Sequence, residues 1–286
     1  MTEKHKGLVV DMLIYVAAFV IAAVPFYLID EMLAATAAFT GTATLLVFLA
    51  SCFFRDVSVY DPYWSVAPPI MLLLCMIRFE IFTVNAWVIF LLVLLWAARL
   101  TANWYRTYRG IGHEDWRYRM FREKYSTPVF LLISFFGLHF VPTIVVYLGL
   151  VSGLLVMREQ SFTLLSLPGA LMMPAGVVLE LVSDRAIHRF LAEHRGERRT
   201  CNVSVWKFSR HPNYLGEMSF WTGMYLYFLG RCPGAWYKGL GFLTIIILFL
   251  FVSIPMMEKH NLENRTDYGE YREKTSVLLL LPSKAR

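Results

Sequence analysis

The chain has 286 residues, 57% of them hydrophobic and only 17% charged, and its mean hydropathy is +0.52. That composition excludes an ordinary soluble domain and leaves an all-α, polytopic membrane helix bundle embedded in a lipid bilayer. The net charge of +6 calls for no nucleic acid, because a membrane protein with positive cytoplasmic loops is itself basic and no nucleic-acid module is present.

Apolar stretches near the roughly 20 residues that cross a hydrocarbon core occur at 8–29, 33–54, 66–82, 83–104, 129–157, 162–183, 213–230 and 239–257. They predict about eight transmembrane helices, with seven to nine compatible with the pattern. Arg78 and Glu80 shorten the third, and His139 with Pro142 offers a place to split the fifth. The first run follows a basic start, is about span length and lacks a small-residue cleavage site, so it is expected to remain as the first helix. An even number of spans places 23 of the 27 Lys and Arg on the side that holds both termini. Short cytoplasmic loops retain positive charge, so both ends of a multi-pass membrane protein are expected in the cytoplasm. Cys52, Cys75, Cys201 and Cys232 form no close pair and predict neither a disulfide framework nor a zinc site. No repeat or Gly/Ser linker interrupts the chain, which predicts a single membrane domain over 1–286.

Polar residues gather in four segments on the predicted cytoplasmic side, 53–65, 99–125, 180–217 and the tail from Glu258. In the second, Trp116 stands among Arg117, Arg119 and Arg122, a pattern that suits interfacial anchoring or stacking on a flat heteroaromatic ring. In the third, Glu180, Asp184 and His188 recur every four residues and share one helix face. They form either a polar cleft open to the cytosol or an internal pair that emerges at the interface; no further ligand set supports a metal. Arginines outnumber lysines 19 to 8, which favours fork-like recognition of phosphate or carboxylate.

The stretch "WKFSRHPNYLGE" then starts a helix at Pro212, with His211 or Ser209 as cap. Its free N–H groups beside Arg210 suit an anion. Asn213 and Glu217 share a face, and Gly216 between them permits a close backbone approach by a ligand. The alternative is a capped span whose Glu217 pairs with an arginine of 99–124. The tail is either solvated or a cytosolic helix folded over the cleft that brings in Glu258, His260 or Arg265.

"RHPNYLGE", preceded by "ELVSDRAIHRF" and followed after one span by "MEKHNLENRTDYGEYREKT", resembles the C-terminal domain of steroid 5-alpha-reductase-type membrane enzymes. "DPYWSVAPP", "RLTANWYR" and "GHEDWRYR" resemble the bacterial branch of that superfamily, and "RHPNYLG" alone is shared with isoprenylcysteine carboxyl methyltransferases. The resemblance runs from about residue 56 to the end, with a cofactor-binding part over 99–286. It implies NADPH-dependent reduction of a carbon–carbon double bond conjugated to a carbonyl, in a steroid-, isoprenoid- or fatty-acyl-like substrate. It implies cofactor contacts by Asn213 and Glu217, with Arg210, His211 and Tyr214 beside them, by Asp184, by Glu180 where the family has Asn, and by His260, to which the folded-over tail would add Glu258. Arg106 or Arg109, with Trp116 and Arg117, would serve the phosphate-bearing end. Asp61 lies roughly where the steroid enzymes carry a substrate-binding Glu, and Trp96 aligns with their Tyr, so the carbonyl donor is expected among Asp61, Tyr63 and Tyr105. Two other readings compete: methyl transfer from S-adenosylmethionine, whose carboxylate suits the same helix start, and a non-enzymatic lipid-binding membrane protein.

Overall fold

The computed structural model describes residues 2–283 and contains helices and turns, with no strand among the described residues. Six segments are long and apolar enough to cross a membrane: Glu3–Leu28, Met32–Phe54, Val84–Thr107, Thr127–Val156, Leu164–Glu193 and Phe242–Asn264. Two further predicted spans are helical but fall outside that set. Tyr63–Arg78 has 16 residues, short of the roughly 20 that a bilayer needs, and Pro212–Arg231 carries Asn213, Glu217 and several tyrosines. The fifth predicted span is not split: its helix continues through π-helical turns over Ile133–Phe140, and His139 is buried inside it, Nδ1 donating to the Ser134 carbonyl at 2.8 Å. The fold groups into two compact units, Met1–Ser161 and Phe162–Arg286.

In the first unit, α1 (Glu3–Leu28) and α2 (Met32–Phe54) pack through helix-periodic stripes. The α1 stripe is Gly7, Asp11, Tyr15, Ala18, Ala22 and Phe26, spaced by three or four residues as one helix face requires. On α2 it includes Ala35, Thr36, Phe39, Thr40, Ala43 and Thr44, small residues that let helices approach where lipid offers no hydrophobic drive. Thr36 and Thr40 donate to carbonyls four residues back, which hides their hydroxyls from hydrocarbon. Opposite this stripe, Leu13 and Val20 remain about two-thirds exposed, at 64% and 65%, the face that meets lipid. α3 (Tyr63–Arg78), α4 (Val84–Thr107), the short amphipathic α5 (Trp116–Lys124) and α6 (Thr127–Val156) complete the unit.

The second unit is built on α7 (Leu167–Glu193) and α8 (Pro212–Arg231). A Cβ at Gly176 would stand 2.6 Å from the Gly216 carbonyl oxygen and 2.9 Å from Phe220 N. The two backbones therefore touch with no side chain between them. α9 (Phe242–Asn264), with π-helical turns at Phe249–Ser253, leads to α10 (Tyr268–Lys274). All four cysteines are free thiols.

Candidate functional site

In the first unit, polar residues from two distant segments are stitched into one surface. Arg55 ends α2 in the left-handed conformation, φ 53°, and turns the chain into residues 56–61. Asp56 accepts from Ser58 N at 2.9 Å and from Gly112 N at 2.6 Å. Ser58 Oγ accepts from Asp115 N at 2.9 Å, and Glu114 Oε1 accepts from Val57 N at 3.0 Å. Arg122 holds Glu114 from the other side in a two-pronged pair, at 2.9 and 2.6 Å, the geometry that suits guanidinium to carboxylate. Asp115 caps α5 by accepting from Arg117 N at 2.9 Å and also pairs with Arg117 Nε at 2.8 Å. The acidic residues of "GHED" are therefore structural fasteners of a rigid loop.

This loop and turn enclose a cavity of about 690 Å³, within the range of small-molecule and cofactor sites. Its wall includes Asp61, Trp104, Tyr108, Arg109, His113, Trp116 and Arg119. Asp61 accepts a hydrogen bond from the Tyr118 phenol at 2.5 Å. Burial pushes the Asp61 carboxyl up to about 7, against the opposing pull of Arg117 and the Tyr118 hydrogen bond. Burial, reinforced by the Asp61 charge, holds the Tyr118 phenol well above its usual range. Asp61 is therefore about half protonated at neutral pH and lines the open space, and its protonated form meets the requirement for a hydrogen-bond donor to a developing oxyanion.

Of the sequence-predicted residues in this unit, the structure brings Asp61, Arg109 and Trp116 to the one cavity, with Arg117 behind them on Asp115. Three others lie elsewhere. Tyr63 is buried in the bundle and donates to the Thr40 carbonyl at 3.2 Å, because the first turn of α3 points it at α2. Tyr105 is 38% exposed and carries the Lys4 ammonium over its ring at 4.0 Å. Arg106 is exposed and outside the cavity wall. Trp96, on the helix before the loop, is fully buried. Sequence reasoning missed Tyr118, whose partner is 57 residues away; only its place in "EDWRY", one position after an arginine at the start of a helix, was visible. It also missed Tyr108, which donates to the buried Asp11 of α1 at 2.6 Å and so ties the loop to the first helix.

In the second unit the predicted residues arrange differently. Glu258 accepts from His211 Nε2 at 2.8 Å and from the Tyr268 phenol at 2.7 Å, and pairs with Arg210 at 3.0 Å. Arg210 is thus neutralised by a carboxylate of its own unit, which corrects its expected role as a free anion site. His211 is the first-turn cap position, but its side chain makes no capping bond; its ring stacks on Tyr214, centroids 5.2 Å apart and 5° from parallel. Ser209 Oγ accepts from His211 N at 3.1 Å instead. Gly216 serves helix packing in place of ligand approach, since a Cβ there would meet Glu180 Cγ at 2.5 Å and the Gly176 carbonyl at 2.7 Å. Glu217 is buried and accepts from Trp221 Nε1 at 2.8 Å, while Asn213 one turn earlier is half-buried. Glu180 and Asp184 are buried on α7 and His188 is half-buried. His260 stands about 200° around the helix from Glu258, with Asn264 Nδ2 donating to its carbonyl at 2.8 Å. No group of three His, Cys, Asp or Glu is placed to hold a metal among the described residues.

The sequence from residue 47 to 275 matches the family described as protein of unknown function (DUF1295), which is most of the chain. The chain belongs to the DUF1295 family. The matched range takes in both the cavity turn at 56–61 and the Glu258 cluster. No curated protein and no solved structure matches the chain.

Proposed function

We propose that this DUF1295 chain is a steroid 5-alpha-reductase-like membrane enzyme that uses NADPH or NADH to reduce a carbon–carbon double bond conjugated to a carbonyl in a lipid-soluble substrate. The reading includes eight membrane-crossing helices, both termini in the cytoplasm of a bacterial inner membrane, and a cavity that faces the cytosol. The observation that carries it is the convergence of Asp61 with Arg109 and Trp116, from two separate stretches of sequence, on one cavity of about 690 Å³.

The residues present suit a dinucleotide. Trp104 and Trp116 offer flat faces for heteroaromatic rings. Arg109 and Arg119 line the same wall and are exposed, so their guanidinium groups are placed to pair with phosphate oxygens. The nicotinamide cofactor, when bound, supplies the hydride. The chain supplies orientation, through a loop fixed by Asp56, Ser58 and Glu114, and a proton held between Asp61 and Tyr118. That pair hydrogen-bonds the substrate carbonyl and stabilises the negative charge that develops on its oxygen.

The test is calorimetry on the full chain in lipid nanodiscs with NADPH, NADH and S-adenosylmethionine in parallel, followed by nucleotide oxidation with a panel of enones. Binding of a nicotinamide dinucleotide, weakened about tenfold by Arg109→Ala, is expected. Binding of S-adenosylmethionine alone would turn the assignment to a methyltransferase, and no binding of any of the three would leave a lipid-binding protein.

A further inference from the structure

The end of the chain carries a feature that the cavity does not use. After α10 the backbone returns along residues 208–210. Arg210 N donates to the Ser276 carbonyl at 2.9 Å, Ser209 Oγ to the Leu278 carbonyl at 2.7 Å, and Leu281 N to the Phe208 carbonyl at 3.2 Å. Polar backbone groups are thereby satisfied on one side. The aliphatic side chains are left outward: Val277, Leu279, Leu280 and Leu281 are each between 42% and 57% exposed, and Phe208 beside them is 40% exposed. In water such a contiguous apolar patch would be a liability.

Its depth can be read from α7. Trp206 Nε1 donates to the Ser183 carbonyl at 2.9 Å, which sets residues 206–208 level with Ser183. That residue lies 19 positions after Leu164, where the apolar segment Leu164–Glu193 begins. At about 1.5 Å per residue the separation is roughly 28 Å, close to the ~30 Å of a hydrocarbon core. The patch is therefore held at the boundary between acyl chains and headgroups. Two further observations agree with that level. Trp206 is of the residue type enriched there, and Lys207 is exposed beside it, with a charge that matches lipid phosphate.

We propose that Val277–Leu281, together with Phe208, docks on the bilayer surface as an interfacial anchor, so that the cytosolic tail is pinned to lipid at one end and to Glu258 at the other. Lipid contact would then hold α10 in place and, through the Tyr268 and Arg272 contacts to Glu258, fix the start of α8. Its occupant is the lipid of the surrounding membrane, continuous with the lipid-facing sides of the spans.

The experiment places a nitroxide at Leu280→Cys in the full chain, reconstituted in nanodiscs of zwitterionic and anionic lipid. The signal from identically treated wild-type protein, which keeps its native cysteines, is subtracted. Collision rates with dissolved oxygen and with a water-soluble nickel chelate report depth. The oxygen-to-nickel ratio is expected to be at least several-fold higher than for Asn202→Cys, an exposed position of the same unit. Leu279→Asp added to the labelled chain is expected to bring the ratio down to that of Asn202→Cys. A ratio at Leu280→Cys equal to the control from the outset would overturn the proposal. So would a defined label-to-label distance that vanishes on dilution with unlabelled protein, since a second copy would then cover the patch.

Discussion

The cavity of the first unit and the Glu258 cluster of the second use the same residue types to opposite ends. Around the cavity, Glu114 and Asp115 take up Arg122 and Arg117, and Arg109 and Arg119 are left on the wall. Around Glu258, the carboxylate is met by Arg210, His211, Arg272 and Tyr268 at once. The first arrangement keeps charge available to a ligand. The second spends it on closing the chain upon itself. Sequence motifs do not distinguish the two, because "GHEDWRYR" and "SRHPNYLGE" look equally rich in recognition groups.

Substitutions can break that contrast or sharpen it. The largest effect is expected at Glu258→Gln, which leaves Arg210 and His211 buried without their counter-charge. Removing one partner of a buried pair costs about 3 kcal/mol or more, and the expected readout is a lower unfolding temperature in detergent with faster tryptic cleavage in α10. An equal loss of nucleotide binding with no loss of stability would instead make the cluster a ligand site. Next is Gly176→Leu, where a side chain must enter a backbone-to-backbone contact; overpacking of this kind costs about 1–3 kcal/mol, measurable by the same unfolding assay.

For the cavity, the sharper test is pH. Asp61 has its carboxyl raised from 3.8 to about 7, so the folded protein binds a proton there that the unfolded chain releases. Its contribution to stability is full below about pH 4 and is lost as pH rises through about 7. Reduction that relies on the same proton should fall up to about tenfold per pH unit above that point, and Asp61→Asn should flatten the profile. A slope unchanged in Asp61→Asn would remove this residue from the chemistry. The smallest effect is expected for Tyr268→Phe, about 1 kcal/mol for one hydrogen bond to Glu258, with nucleotide affinity unaltered.

Much of the fold was legible because hydropathy is a local property. All six long apolar helices correspond to stretches visible in the sequence, and Arg78 and Glu80 correctly announced the short third helix. The π-helical turns at 133–140 were not legible, since a register change depends on how His139 is met by Ser134 and Ser51. The candidate site was legible only in its outline. Asp61, Arg109 and Trp116 could be singled out by residue type and by resemblance. What surrounds them could not, because bonds such as Tyr118 to Asp61 and Gly112 to Asp56 span more than fifty residues. Arg210 shows the converse: a helix start with a free arginine is a sound local reading, and its partner arrives 48 residues later.

The contact between Gly176 and Gly216 also bears on biogenesis. α8 carries Asn213 and Glu217 and does not rank among the segments apolar enough to partition alone. Its closest neighbour, α7, does rank among them, and the two backbones meet directly where Gly169 faces Gly223 and Tyr227 and where Gly176 faces Gly216 and Phe220. The two are joined by a single loop. On the proposed eight-span reading, such a hairpin would enter the bilayer as one unit, the greasier arm carrying the more polar one with its carboxylate already covered.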